Sequence, residues 1–202
     1  IDRDGNGTAD WTDTLTHNAN GSTTDTIVGL ATYGAPAFQK TTTTVNLAAS
    51  LAQAGADVLV IDLDPQGNAS TALSVEHHAD VPSVYDVLIE RYTMDEVVQQ
   101  VPEIPNLYCC PATIDLAGAE IELVSMVARE SRLQRALSVY HSSIDYILID
   151  CPPSLGLLTV NAMVAGNEVL IPIQCEYYAL EGLGQLLRNI ELVRAHMNPN
   201  LH

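Results

Sequence analysis

A Lys-Thr pair, Lys40–Thr41, opens a helix-forming run directly after a short apolar run. Three carboxylates, Asp62, Asp64 and Asp150, stand at the ends of two β-branched runs, "DVLVIDLD" and "IDYILIDCPP". A lysine and a hydroxyl at a helix start suit an anion: the helix N-terminus offers unpaired N–H groups, the ammonium reaches outer phosphate oxygens, and the hydroxyl ligates a hard cation. Carboxylates at the carboxyl ends of parallel strands converge on the crevice where open α/β sheets bind ligands. Each Asp alone reads as a strand-end turn or a helix cap. Together with Lys40 they make a Mg²⁺-nucleotide site.

Those residues need a scaffold of alternating strands and helices, and the chain from Thr26 onward provides that pattern. "TIVGLAT" predicts a strand, "TTTTVNLAASLAQAG" a helix closed by Gly55, and "DVLVIDLD" a strand buried on both faces. After a loop, "VYDVLIERY" and "MDEVVQQV" predict two amphipathic helices, "NLYCCPA" a strand, and "AGAEIELVSMVARESRLQRALSVYH" one long helix. "IDYILIDCPP" and "EVLIPIQC" predict further strands, and "TVNAMVAGN" and "ALEGLGQLLRNIELVRAHM" the helices after them. The expected fold is an α/β, doubly wound, mainly parallel sheet flanked by helices.

The 202 residues, 47% apolar, suit one domain. We divide the chain into an acidic, flexible arm over 1–26 and a nucleotide-binding α/β domain over 27–202. Within the arm, Asp2, Asp4, Asn6, Asp10 and Asp13 have the spacing of a calcium-binding loop around Gly7. No helix-forming sequence flanks them, so we read a solvated tail and not a Ca²⁺ site. No apolar run reaches the roughly 18 residues that span a bilayer, so the expectation is no membrane partner and a cytoplasmic location. Four cysteines, two of them adjacent, read as buried thiols.

Eight basic residues against 25 acidic ones give a net charge of −17, which opposes nucleic-acid binding and fits a halophilic source. Lys40 is the only lysine in the chain. It has been kept at the one position where a phosphate loop needs it.

"TTTTVNLAASLAQAGADVLVIDLDPQGNAST", "DYILIDCPPSLGLLTVNAM" and "VLIPIQCEYYALEGLGQLL" resemble, in order and spacing, the ParA/Soj branch of the ParA/MinD partition ATPases, which carry a deviant Walker A P-loop. The resemblance implies ATP and Mg²⁺ as ligands and a role in plasmid or chromosome partitioning. It also implies a homodimer, non-specific DNA binding and a ParB-type centromere-binding partner. Carried over, Lys40, Thr41, Thr42 and Gly34 would hold the nucleotide. Thr41 and Asp150, supported by Asp62, would hold Mg²⁺, and Asp64 with Lys40 would carry the catalysis. Where the family reads Lys-Gly-Gly-Val-Gly, this chain reads Ala35, Pro36, Ala37, Phe38 and Gln39, so the loop glycines and the signature lysine are replaced. Pro36 has no N–H to donate, and the other replacements resist φ > 0. A catalytically inactive, ParA-like scaffold is therefore the alternative. The family also continues past "RAHMNPNLH", so the C-terminal part of its fold is expected to be missing.

Overall fold

The computed structural model describes residues 16–17, 23–29, 37–172 and 177–202. Its strands are β1 (Thr16–His17), β2 (Thr23–Gly29), β3 (Val58–Asp62), β4 (Gln99–Gln100), β5 (Leu107–Cys110), β6 (Tyr146–Asp150) and β7 (Glu168–Leu170). β7, β2, β6, β3 and β5 lie side by side and parallel, β4 adds antiparallel to β5, and β1 pairs antiparallel with the start of β2.

The helices are α1 (Ala37–Gln53), α2 (Asn68–Ala72), α3 (Val84–Leu88), α4 (Met94–Val97), α5 (Leu116–Val124), α6 (Arg132–Ser138), α7 (Leu157–Ala165) and α8 (Tyr177–His196). All five residues of β3 are buried, and the four apolar ones split between two cores. Leu59 and Ile61 pack with residues of α3, α5, α6, α7 and α8, whereas Val58 and Val60 pack with Ala48 and Ala52 of α1 and Ala69 of α2. Helices therefore cover both faces, which is why the strand reads as an unbroken apolar run. The doubly wound, mainly parallel α/β architecture is as expected.

Helix α1 sets the position of the site. Its buried residues Lys40, Thr44, Ala48 and Ala52 fall four apart on one face, while Thr42, Asn46 and Ser50 are exposed. Alanine and threonine keep the helix close to the sheet. A Cβ on Gly29 would come within 2.9 Å of Thr44 Oγ1, so glycine is required where α1 crosses β2. The turn after the helix closes at Gly55, whose φ of 102° suits glycine.

Several boundaries differ from those the sequence predicts. α1 begins at Ala37, four residues before Thr41. β2 begins at Thr23, so the division at residue 26 falls inside a strand whose first residues pair with β1. "MDEVVQQV" is helical only over Met94–Val97, and Gln99 and Gln100 then pair with Cys109 and Tyr108. α2 forms where a loop was expected.

The long helix predicted from "AGAEIELVSMVARESRLQRALSVYH" breaks at Ala128, at φ 53°, into α5, a 3₁₀ turn over Arg129–Ser131, and α6. The cause lies 30 residues away in sequence. The buried Asn161 of α7 accepts from the N–H groups of Arg132 and Leu133 at 3.1 and 3.3 Å and donates to Arg129 O and Leu157 O at 2.8 and 3.0 Å. One amide thus takes over backbone groups that a continuous helix would pair internally.

Asn161→Leu leaves three backbone groups, Arg132 N–H, Leu133 N–H and Arg129 O, without this partner, and we expect it to lower unfolding stability by about 2 to 4 kcal/mol. Urea denaturation in concentrated salt measures this. A loss below about 1 kcal/mol would mean that the break does not depend on the amide.

Candidate functional site

The sheet register assembles the site. Gly29, Asp150 and Asp62 stand in one row across the carboxyl ends of β2, β6 and β3. α1 presents its buried face to this row. Lys40 is 1% exposed, and its Nζ lies 3.7 Å from both Asp64 Oδ2 and Asp150 Oδ1. Those distances exceed a hydrogen bond, so Nζ and Asp64 Oδ2 are both buried polar atoms without a hydrogen-bond partner. A buried ammonium held by ion pairs but with no hydrogen bond is costly unless it serves a ligand.

Asp150 is fixed on its other side. The Thr41 hydroxyl donates to Asp150 Oδ2 at 2.7 Å, and Thr44 Oγ1 lies 3.4 Å from Asp150 Oδ1 and 3.2 Å from Lys40 O. Burial pushes the Asp150 carboxyl above its ordinary range, against the opposing pull of Lys40 and of the Thr41 hydrogen bond.

Asp62 does different work. Its Oδ1 accepts from Asp64 N at 3.1 Å, and its Oδ2 accepts from Ser70 N and Ser70 Oγ, each at 2.8 Å. Both oxygens thus hold the Asp64 turn and α2 in place. Burial, followed by the Asp150 charge, pushes its carboxyl up to about 6. Asp64 Oδ1 accepts from Gln66 N at 3.0 Å, and Gly67, at φ 62°, closes the turn into α2. That leaves Asp64 Oδ2 aimed at Lys40.

Of the residues named from sequence, Lys40, Thr41, Asp64 and Asp150 come together, with Asp62 behind them. Thr42 is exposed on the first turns of α1. Gly34 and the calcium-loop residues Asp2, Asp4, Asn6, Asp10 and Asp13 lie outside the described residues. Sequence reasoning missed Thr44 and Ser70. Thr44 was accessible from its helical spacing to Lys40, whereas Ser70 carries no local signal.

Among the described residues no three His, Cys, Asp or Glu side chains form a metal cage. Mg²⁺ does not need one, since it is commonly held by one or two protein oxygens together with phosphates and water. The Thr41 hydroxyl and the Asp150 carboxylate are hard oxygen donors of that kind, and the Lys40 Nζ, which has no hydrogen-bond partner, fits a phosphate.

Two predictions follow from the charges. A carboxyl whose folded pKa is raised holds its proton more readily when folded, so its contribution to stability is present below about pH 4 and is lost as pH rises through about 6. For Asp62 that slope amounts to about 2 to 3 kcal/mol. Asp62→Asn should flatten the stability profile between about pH 4 and about pH 7, measured by urea midpoints, and parallel profiles would refute the assignment. Lys40→Met leaves the carboxylates without their cation and should cost about 3 to 5 kcal/mol near neutrality, with a smaller loss at acid pH, where Asp150, its carboxyl raised by burial, regains its proton.

Residues 37–202 match the AAA domain family. The chain is 55% identical over 163 residues to the sporulation initiation inhibitor protein Soj of Bacillus subtilis, covering 80% of this chain and 64% of that protein. It is 51% identical over 162 residues to the chromosome partitioning protein ParA of Myxococcus xanthus, covering 80% of this chain and 57% of that one. The chain thus spans about three fifths of the length of these curated relatives. A crystal structure of cobyrinic acid a,c-diamide synthase from Mycobacterium smegmatis with bound ATP analog and magnesium superimposes with a TM-score of 0.80 at 37% identity, covering 88% of this chain and 71% of that one. A plasmid partition protein from Borrelia burgdorferi shares the fold, with a TM-score of 0.74 at 24% identity, over 88% of this chain and 75% of its own. The chain belongs to the AAA domain family and, within it, to the ParA/Soj-type partition ATPases.

Proposed function

We propose that this chain is the nucleotide-binding part of a partition ATPase that uses ATP and Mg²⁺ in the cytoplasm to segregate a plasmid or chromosome. The observation that carries this reading is the buried Lys40 ammonium, which has two carboxylates at 3.7 Å and no hydrogen-bond acceptor. ATP would supply the phosphoanhydride to be cleaved, and Mg²⁺ would supply the charge that gathers its phosphates.

The residues divide the work. Lys40 would donate to terminal phosphate oxygens and neutralise the charge that builds on them, while Thr42 and, by resemblance, Gly34 would serve the inner phosphates. Thr41 and Asp150 would hold Mg²⁺, and their 2.7 Å hydrogen bond keeps the pair oriented. Asp64, with Oδ1 fixed by Gln66 N, offers Oδ2 as acceptor to a water and directs it. Positioning and charge neutralisation are most of what phosphoryl transfer asks of a protein. The proposed assembly is a homodimer that engages a ParB-type partner and DNA. No described helix is long and apolar enough to cross a membrane.

A second reading rests on the start of α1. A helix that begins at Ala37 leaves the N–H groups of Ala37, Phe38 and Gln39 as its unpaired donors and draws those of Lys40 and Thr41 into its own ladder. Phosphate would then meet fewer backbone donors than a glycine loop offers, and the chain would act as a scaffold that does not turn ATP over.

Titration with a fluorescent ATP analogue and Mg²⁺ in concentrated salt separates the two readings. For an ATPase we expect saturable binding that weakens about tenfold to a hundredfold in Lys40→Ala, and an Asp64→Ala variant that binds but does not hydrolyse. No binding by the folded chain, with binding gained when residues 35–39 are replaced by Lys-Gly-Gly-Val-Gly, would establish the scaffold. No binding by either would remove the nucleotide from both readings.

A further inference from the structure

On the face of the sheet opposite α1, a cavity of about 350 Å³ opens between the α3–α4 turn and α6. Arg91, Arg132 and Arg135 line it, together with Glu90, Thr93 and Glu96. The eight basic residues of the chain are Lys40 and seven arginines, so three of seven arginines in an otherwise acidic chain meet in one cavity. Its volume suits a small ligand.

Arg132 is the buried member, with its side chain 10% exposed. It is anchored by donating from Nη1 to Leu88 O at 3.1 Å, and its Nε is buried without a hydrogen-bond partner. Its nearest carboxylate oxygen is Glu90 Oε1 at 3.5 Å, and the same oxygen lies 3.7 Å from Arg135 Nη1. Neither distance is a good hydrogen bond, and each guanidinium is built to bind an oxyanion with two parallel donors. Glu90 is thus a loose occupant shared between two forks. It is also held at φ 61°, in the left-handed region, where glycine is the usual residue one position past a helix end. Arg91 is held nearby, donating to Asp86 Oδ1 at 2.8 Å with its guanidinium over the Tyr85 ring. Glu96 is engaged by Thr93, whose N–H and hydroxyl both donate to its Oε2 at 2.8 Å, which leaves it turned to its own helix cap.

We propose that this cavity is a second anion site, for a phosphate or a small phosphomonoester, with Arg132 as its fixed anchor, Arg135 as its mobile arm and Glu90 as a built-in carboxylate that the ligand displaces. Arg132, with Nε free while Nη1 and Nη2 donate to Leu88 O and Val127 O, and the largely exposed Arg135 supply donors suited to a phosphoryl group, while Arg91 stays paired to Asp86 at the rim. The site is separate from Lys40, which sits on the other helical layer, and it does not rest on the ATP reading.

Arginine Nε–Hε resonances of the full chain, titrated with inorganic phosphate at constant ionic strength, test this. We expect saturable shifts at Arg132 and Arg135, binding about fivefold tighter in Glu90→Gln and about fivefold weaker in Arg135→Gln, whose side chain is largely exposed. The shifts should persist in Lys40→Ala. Shifts that do not saturate, that ignore both substitutions, or that vanish in Lys40→Ala would overturn the proposal. An equal response to acetate would overturn the phosphoryl assignment.

Discussion

The structure turns on one buried cation facing carboxylates brought into line by strand register. β2, β6 and β3 end level with one another, so Asp150 and Asp62 arrive side by side without any loop having to place them. Lys40 meets them because α1 buries every fourth residue, and the stripe that packs the helix on the sheet is the stripe that carries the ammonium. Packing and site are therefore one arrangement. A shift of α1 by one residue would turn Lys40 away from that row and strand the carboxylates.

The start of α1 limits what that arrangement can hold. Alanine, phenylalanine and glutamine are better helix formers than glycine, and where the family has a glycine loop this chain winds another turn of helix from Ala37. The gain is local stability. The loss is donor geometry, since N–H groups paired within the helix no longer face a phosphate. What remains for an anion is the Lys40 side chain and the first helical N–H groups.

The strands and the residues closing them were legible in the sequence because both signals are local. "DVLVIDLD" contains its own burial pattern and its own carboxylates, and Lys40 stands alone as a lysine. The elements that escaped are held by contacts between distant residues. α2 depends on Ser70 reaching back to Asp62, the α5–α6 break depends on Asn161, and β4 depends on a partner strand. The place of Asp62 at a strand end is visible in the sequence, but the hydrogen bonds that engage its oxygens are not. The arginine cavity was invisible because Arg91 and Arg132 are far apart until α3 and α6 pack together.

Charge distribution ties the two sites to the composition. A net charge of −17 spread over the surface is screened to about 3 Å in molar salt, so exposed carboxylates then act on little beyond their neighbours. Lys40 is buried and escapes most of that screening, so its attraction to Asp64 and Asp150 persists where surface pairs weaken. The arginines follow a similar rule: Arg132 donates to Leu88 O and Arg129 to Val124 O, so cations are spent on closing helix ends and lining a cavity more than on forming a basic face. Contact with a polyanion such as DNA would then have to come from few side chains, and salt would weaken that contact well before it loosened Lys40.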